Sequence, residues 1–229
     1  MVAWWQQTFL PLSSEESQLP GPNPASRVFL PEWEQYNQPP KIVTLGHYYP
    51  KTKVAAAKSL VKEASPQYGT GSGADARAVR GHLAWTRLLD ALNSERKWPL
   101  KRLYERLNPM LEPGIAIAVV PPHRAYQAFW PLRILAQTLA AEGGRVDATG
   151  CLVRRATIRR IIYGGPSTRA LHQQTIQVED SALVQGRSVL LLDDIAKSGA
   201  SLVACRELLT GAGAGTVQAL ALGRVIIGE

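Results

Sequence analysis

Two carboxylates stand side by side, Asp193 and Asp194, where the apolar part of "SVLLLDDIAKSGASL" (Ser188 to Leu202) gives out. Neighbouring carboxylates repel, and each needs solvent or a partner, so folding alone explains the pair poorly. A vicinal diol, such as two hydroxyls of a ribose, would supply partners. The residues behind the pair are small and polar. Gly199 lets the backbone come close to a ligand, Ser198 and Ser201 bring hydroxyls, and Lys197 brings a cation. A helix starting here would add its first N–H groups and its dipole, a natural seat for an anion. Diol acceptors followed by a phosphate cradle describe a ribose 5-phosphate site. The plainer alternative is a helix N-cap with an acidic turn, since Ser and Asp are ordinary capping residues.

A second candidate lies in "IAIAVVPPHRAYQAFW". Pro121, Pro122, His123, Arg124 and Ala125 read as a loop after an apolar strand, and an arginine fork matches phosphate geometry. A third is basic. Arg154, Arg155, Arg159 and Arg160 cluster between two strand candidates, with Arg169 and His172 further on. Substrate contact, nucleic-acid phosphates with a steep salt dependence, and a solvated face all remain open for that cluster.

The elements that must position these groups alternate. "KIVTLGHYY" is a strand candidate ended by Pro50, and "KTKVAAAKSLVKEA" is made of good helix formers. Trp85, Leu88, Leu89 and Leu92 mark a helix over Asp75 to Asn93, and Leu100, Leu103, Tyr104 and Leu107 a shorter one. The continuous apolar run Ile115 to Val120 suits a strand buried on both faces of a parallel sheet. Leu132, Leu135, Ala136 and Leu139 form a helical stripe ending near Gly143 and Gly144. "CLVRRA" and "SVLLL" read as strands, Ser201 to Thr210 as a helix, "TVQALAL" as another strand and "RVII" as a last short one. This order predicts an α/β domain over residues 41–229, with a mainly parallel twisted sheet and flanking helices. Residues 1–40, rich in Pro, Ser, Asn and Glu, read as an extended arm. Its Trp4, Trp5, Phe29, Leu30 and Trp33 are expected to pack on the body, with base stacking as the other role.

Bulk properties narrow the partners. The 229 residues carry a formal charge of +8 and a pI near 9.7, which favours anionic ligands. Only Cys151 and Cys205 are present, too few for a disulfide framework or a cysteine zinc site. No apolar run approaches the roughly 20 residues that span a bilayer. The opening "MVAWWQQTFLPL" lacks the basic region and long apolar core of a secretory leader. The expectation is a cytoplasmic protein with no membrane partner.

"VLLLDDIAKSGAS" resembles the phosphoribosyl-diphosphate (PRPP) signature of the type I phosphoribosyltransferases: an apolar strand, two acidic residues, then a Ser/Thr- and Gly-containing turn. The resemblance implies that Asp193 and Asp194 hold the ribose hydroxyls. It implies that Ala196, Lys197, Ser198, Gly199, Ala200 and Ser201 surround the 5-phosphate, with Lys197 where Thr, Ala or Asp is common. Pro122, His123, Arg124 and Ala125 would then form the pyrophosphate loop. Arg155, Arg159 and Arg160 would contribute to a hood over the acceptor or to a nucleic-acid contact. The subgroup most similar in layout is the ComF-like (competence protein ComF and amidophosphoribosyltransferase-like) one, through "LGHYYPKTKVAAAKSL" and "VVPPHR". ComF proteins often carry an N-terminal four-cysteine zinc module, and no cysteine precedes Cys151 here. The implied activity is transfer of a 5-phosphoribosyl group from PRPP to a nitrogenous acceptor such as a nucleobase, with Mg2+ carried by PRPP. The alternative is a PRPP-responsive protein that binds single-stranded nucleic acid. A homodimer is left open, and no residue is marked as the catalytic group.

Overall fold

The computed structural model describes residues 42–63, 73–94, 96–159 and 168–226. The 1–40 arm and Arg160 lie outside the described residues. In chain order the elements are β1 (Ile42–Thr44), β2 (His47–Tyr48), α1 (Lys51–Glu63), α2 (Gly73–Asn93), α3 (Trp98–Leu107), β3 (Ala116–Val119) and α4 (Pro131–Ala140). They continue as β4 (Val146–Asp147), β5 (Leu152–Arg154), α5 (Arg169–Thr175), β6 (Ile176–Val178), β7 (Ser188–Ala196), α6 (Ala200–Gly211) and β8 (Thr216–Val225).

The main sheet runs β1-β8-β7-β3-β4, with β2 also on β8, and every pair in it is parallel. β1 and β2 are one strand interrupted at Leu45 and Gly46. The side chain of Trp85 explains the interruption, because a Cβ on Gly46 would come within 2.7 Å of its ring. The Trp85 indole N–H donates to the carbonyl of Leu222 at 2.8 Å, which fixes α2 across the end of β8.

Strand alternation sorts the core into two layers. Leu190 and Leu192 of β7, with Ile117 and Val119 of β3, pack under α2, α3 and α4 through Trp85, Leu89, Leu103 and Leu135. Val189 and Leu191 face the other way, with Ala116, Ala118, Ala219 and Ala221, against Leu202, Cys205 and Leu209 of α6. The small residues on this second face let α6 lie close to the sheet. Each fully buried leucine contributes about 1.5–3 kcal/mol. The fold is thus α/β, a parallel sheet with helices on both faces, as the alternating pattern predicts.

Three details differ from the sequence reading. "TVQALAL" and "RVII" are not two strands: β8 is continuous through Gly223 to Val225. The "CLVRRA" strand is not in the parallel sheet. As β5 it pairs antiparallel with β6, so the basic region begins in a separate two-stranded layer. β7 does not stop at Leu192 but carries both aspartates and ends at Ala196, which pairs with Arg224. The long β8 alongside provides that extra pairing.

Candidate functional site

β3 hands the chain through α4 to β4 on one side, and β7 hands it through α6 to β8 on the other. The helices lie on opposite faces of the sheet. The connections therefore diverge between β3 and β7, and the crevice beyond their carboxyl ends is where an open parallel sheet accepts a ligand. Both loops singled out from sequence meet there.

The β7–α6 turn forms one wall. Asp193 and Asp194 are partly buried. One Asp193 oxygen accepts the Asp194 amide at 2.9 Å and the other accepts the Ser201 hydroxyl at 3.0 Å. One Asp194 oxygen accepts the Ile195 amide at 2.7 Å. Burial, and next the charge of Asp194, push the Asp193 carboxyl well above the ordinary carboxylate range. Gly199 has φ +78, and a Cβ there would collide with the Ile42 side chain. Glycine alone turns the chain at this point, and α6 begins at the next residue. Lys197 and Ser198 are exposed, and Ala200 donates its N–H to Ser198 Oγ at 3.4 Å. Ala196 is buried as the last residue of the strand.

The loop after β3 forms the facing wall and is tied down from behind. Arg154, 2% exposed, donates from Nε to the Pro122 carbonyl at 2.6 Å and from Nη2 to the Pro121 carbonyl at 3.4 Å. The amide of Ile158 donates to the His123 carbonyl at 2.9 Å, and the amide of Tyr126 to the Arg154 carbonyl at 3.0 Å. The Ala125 amide donates to Thr157 Oγ1, so Ala125 of the predicted loop is engaged in holding the loop in place. Arg124 is exposed and has no partner among the described residues.

The basic cluster divides. Arg154 is no surface cation. It donates from Nη1 to Thr175 Oγ1 at 2.7 Å, and its Nη2 lies 3.2 Å from His172 Nδ1. A guanidinium only donates, so His172 accepts through Nδ1. Burial, and next the charge of Arg154, lower the His172 pKa to about 4, which keeps the ring neutral at physiological pH. Arg155, the residue after β5, is exposed. It pairs with Glu179 at 2.7 Å and stacks 5.5 Å from the Tyr126 ring centroid. Arg159 is exposed. Arg169 pairs with Glu207 of α6 at 2.7 Å. Both cysteines are free and buried. Burial pushes the Cys151 thiol up to about 12, so it is inert rather than nucleophilic.

Several residues around the crevice carry no sequence signal of their own. Tyr126 has φ +52 and is 62% exposed, and Phe129 is 84% exposed. Arg224, exposed at the end of β8, lies opposite Ala196. The Tyr48 hydroxyl donates to Asp90 at 2.7 Å, and burial followed by that bond raises its pKa.

A parallel α/β sheet with an acidic pair and a glycine turn at its switch point has the layout in which strand ends and a helix N-terminus can receive a phosphorylated ligand. A family model, phosphoribosyl transferase domain, matches residues 109–225, which span β3 to the end of β8. The chain belongs to the phosphoribosyltransferase family. Among solved structures it is similar to the purine phosphoribosyltransferase from Pyrococcus horikoshii Ot3, at 16% identity over 61% of this chain and 87% of that one, with a TM-score of 0.32. No curated protein matches the chain.

Proposed function

We propose that the protein binds PRPP in the β3–β7 crevice and transfers its 5-phosphoribosyl group to a nitrogenous acceptor. The observation that carries this reading is the convergence of two loops at one switch point. The β7–α6 turn offers two carboxylates, a left-handed glycine and a helix start. The β3 loop, in the half of the chain that matches the family, offers Arg124. In this reading Asp193 and Asp194 accept from the ribose hydroxyls. Lys197, Ser198, Gly199, Ala200 and Ser201 seat the 5-phosphate, with Ala196 ending the strand. Pro122, His123 and Arg124 face the diphosphate, and Ala125 supports the loop through Thr157. The acceptor nitrogen forms a bond to C1 of the ribose, and the bond from C1 to the diphosphate oxygen breaks, its electron pair leaving on pyrophosphate. The chain positions both reactants and neutralises charge. The two aspartate carboxylates are hard oxygen donors, which suits Mg2+ arriving on the diphosphate. When bound, the ion neutralises charge on the leaving group. The arrangement of Tyr48 and Tyr49, the α1 lysines and Pro121 to Arg124 supports placing the chain near the ComF-like group.

Calorimetric titration with PRPP and Mg2+ tests the reading. Saturable one-site binding is expected, followed by pyrophosphate release with at least one member of a nucleobase panel. No heat of binding at millimolar PRPP removes the site, and binding without turnover on any acceptor removes the transferase activity.

A second reading has its own observation. Exposed Tyr126 stacks on Arg155, exposed Phe129 follows in the loop that also carries exposed Arg124, and aromatics interleaved with arginine suit unstacked bases and their phosphates. Under this reading a fluorescein-labelled single-stranded oligonucleotide binds, and raising salt weakens it. Phe129→Ala and Arg159→Glu each lower its affinity, the former by about tenfold. Anisotropy measured in low and moderate salt decides, and unchanged affinity in both variants discards this surface.

A further inference from the structure

Arg154 poses a problem of stability. A buried cation is costly unless paired with a carboxylate or richly hydrogen-bonded. Its partners are two carbonyls, a hydroxyl and a neutral imidazole, with no carboxylate in direct contact among the described residues. A buried polar cluster of this kind is weak evidence for stability, because a well-packed apolar cluster of the same volume often serves as well.

Its contacts show what the guanidinium does instead. It draws the Pro122 carbonyl inward. A trans peptide is planar, with its C=O and N–H antiparallel, so the N–H of the Pro122–His123 peptide is turned to the side away from Arg154. The next peptide is held in the same manner, its His123 carbonyl taken by the Ile158 amide. That turns the Arg124 N–H away from the 154–158 segment as well. Two successive N–H groups directed to one side form a concavity that binds anions. The same guanidinium is anchored to α5 through Thr175 and His172. One buried side chain therefore ties the β3 loop to α5.

We propose that Arg154 is a positioning residue for the diphosphate seat: it sets the peptide orientation of His123 and Arg124, so that their N–H groups meet the leaving pyrophosphate, and does not itself touch the ligand. This rests on the reading of residues 122–125 as the diphosphate seat. The seat for the ribose 5-phosphate, on the β7–α6 turn, does not depend on it.

The two halves of PRPP separate the possibilities. Inorganic pyrophosphate with Mg2+ probes the β3 loop, and ribose 5-phosphate probes the β7–α6 turn. Arg154→Lys keeps the charge but loses the fork that holds Pro122 and Thr175 together. It is expected to weaken pyrophosphate binding about tenfold and to leave ribose 5-phosphate affinity unchanged. In the wild type the His123 and Arg124 amide resonances shift on adding pyrophosphate, and in Arg154→Lys those shifts shrink. An equal fall for both ligands marks a merely structural residue and overturns the proposal, as does unchanged pyrophosphate binding. A wild type that binds ribose 5-phosphate but not pyrophosphate overturns the diphosphate seat itself. If Arg154→Lys fails to fold, Thr175→Val decides. This variant removes one of the guanidinium's anchors and is expected to lower pyrophosphate affinity a few-fold with ribose 5-phosphate binding kept. Unchanged pyrophosphate affinity in that variant overturns the proposal.

Discussion

Asp193→Asn and Asp194→Asn are each expected to lower PRPP affinity about 10- to 100-fold, since a hydrogen bond to a charged acceptor is worth about 1.5–3 kcal/mol. Asp193→Asn is also expected to make the protein more stable at neutral pH. Burial and the charge of Asp194 hold the Asp193 carboxyl well above its ordinary range. For an acid whose native pKa is raised, the native state binds more protons than the unfolded one, so stability is fully present below the unfolded pKa and is lost as pH rises. Asparagine carries no charge to bury and escapes that loss. It also keeps most of the local bonding. Its oxygen can accept the Asp194 amide, and its NH2 can donate to Ser201 Oγ, because a hydroxyl rotates to accept. Denaturant unfolding at about pH 4 and about pH 8 reads the sign. The variant's advantage should be small at the lower pH and larger at the higher. A variant less stable than wild type at the higher pH would mean that the carboxylate has a stabilising partner and that the pair is structural. An unchanged PRPP affinity would remove the diol from its role.

The same pair shows how far a sequence can be read. Two adjacent acids before a Ser/Gly turn stand out as a candidate site because folding alone explains the pair poorly, and β7, α6 and β8 lie around it in the predicted order. The alternating Leu190, Leu191 and Leu192 could be assigned to buried faces without knowing which helix covers which. The end of β7 was not legible. Aspartates usually close a strand, but here their own carboxylates accept the next amides and β8 supplies partners as far as Ala196. α5 and β6 are not legible because "RALHQQTIQV" has no apolar stripe; Ile176 reaches the core, and the polar cluster around Arg154 and the contacts of Gln173 and Arg169 with Glu207 hold the rest. That cluster had one usable sign. In a strand, neighbours face opposite ways, so "LVRRA" must send one arginine inward and the other out. Taking the run as a single basic patch hides this, and only the pairing of β5 with β6 tells which is which. Tyr126 and Phe129 could not be singled out either, because exposure is a property of how the loop is tied back and not of its composition.

Among the described glycines, Gly199→Ala should be the most damaging added methyl group. The φ of +78 costs an alanine about 1–2 kcal/mol, and the new Cβ would meet Ile42, an overpacking worth about 1–3 kcal/mol more. Together these lower stability by about 2–5 kcal/mol and, for a chain of this size, the melting temperature by roughly 5–15 °C. The damage also reaches function, because this residue aims the backbone between Ala196 and α6 that would seat the 5-phosphate, so ribose 5-phosphate affinity should fall with stability. The two costs can be separated by pairing Gly199→Ala with Ile42→Ala in a double-mutant cycle. Trimming Ile42 makes room for the methyl group but leaves the backbone conformation as demanding as before. If the double variant regains stability but not ribose 5-phosphate binding, the glycine is required for its left-handed turn, and the phosphate seat is made of backbone. If both return, the requirement is only one of space between β1 and the turn, and other small rearrangements could build the same seat. If neither returns, the strain lies in the turn itself and extends beyond the contact with β1.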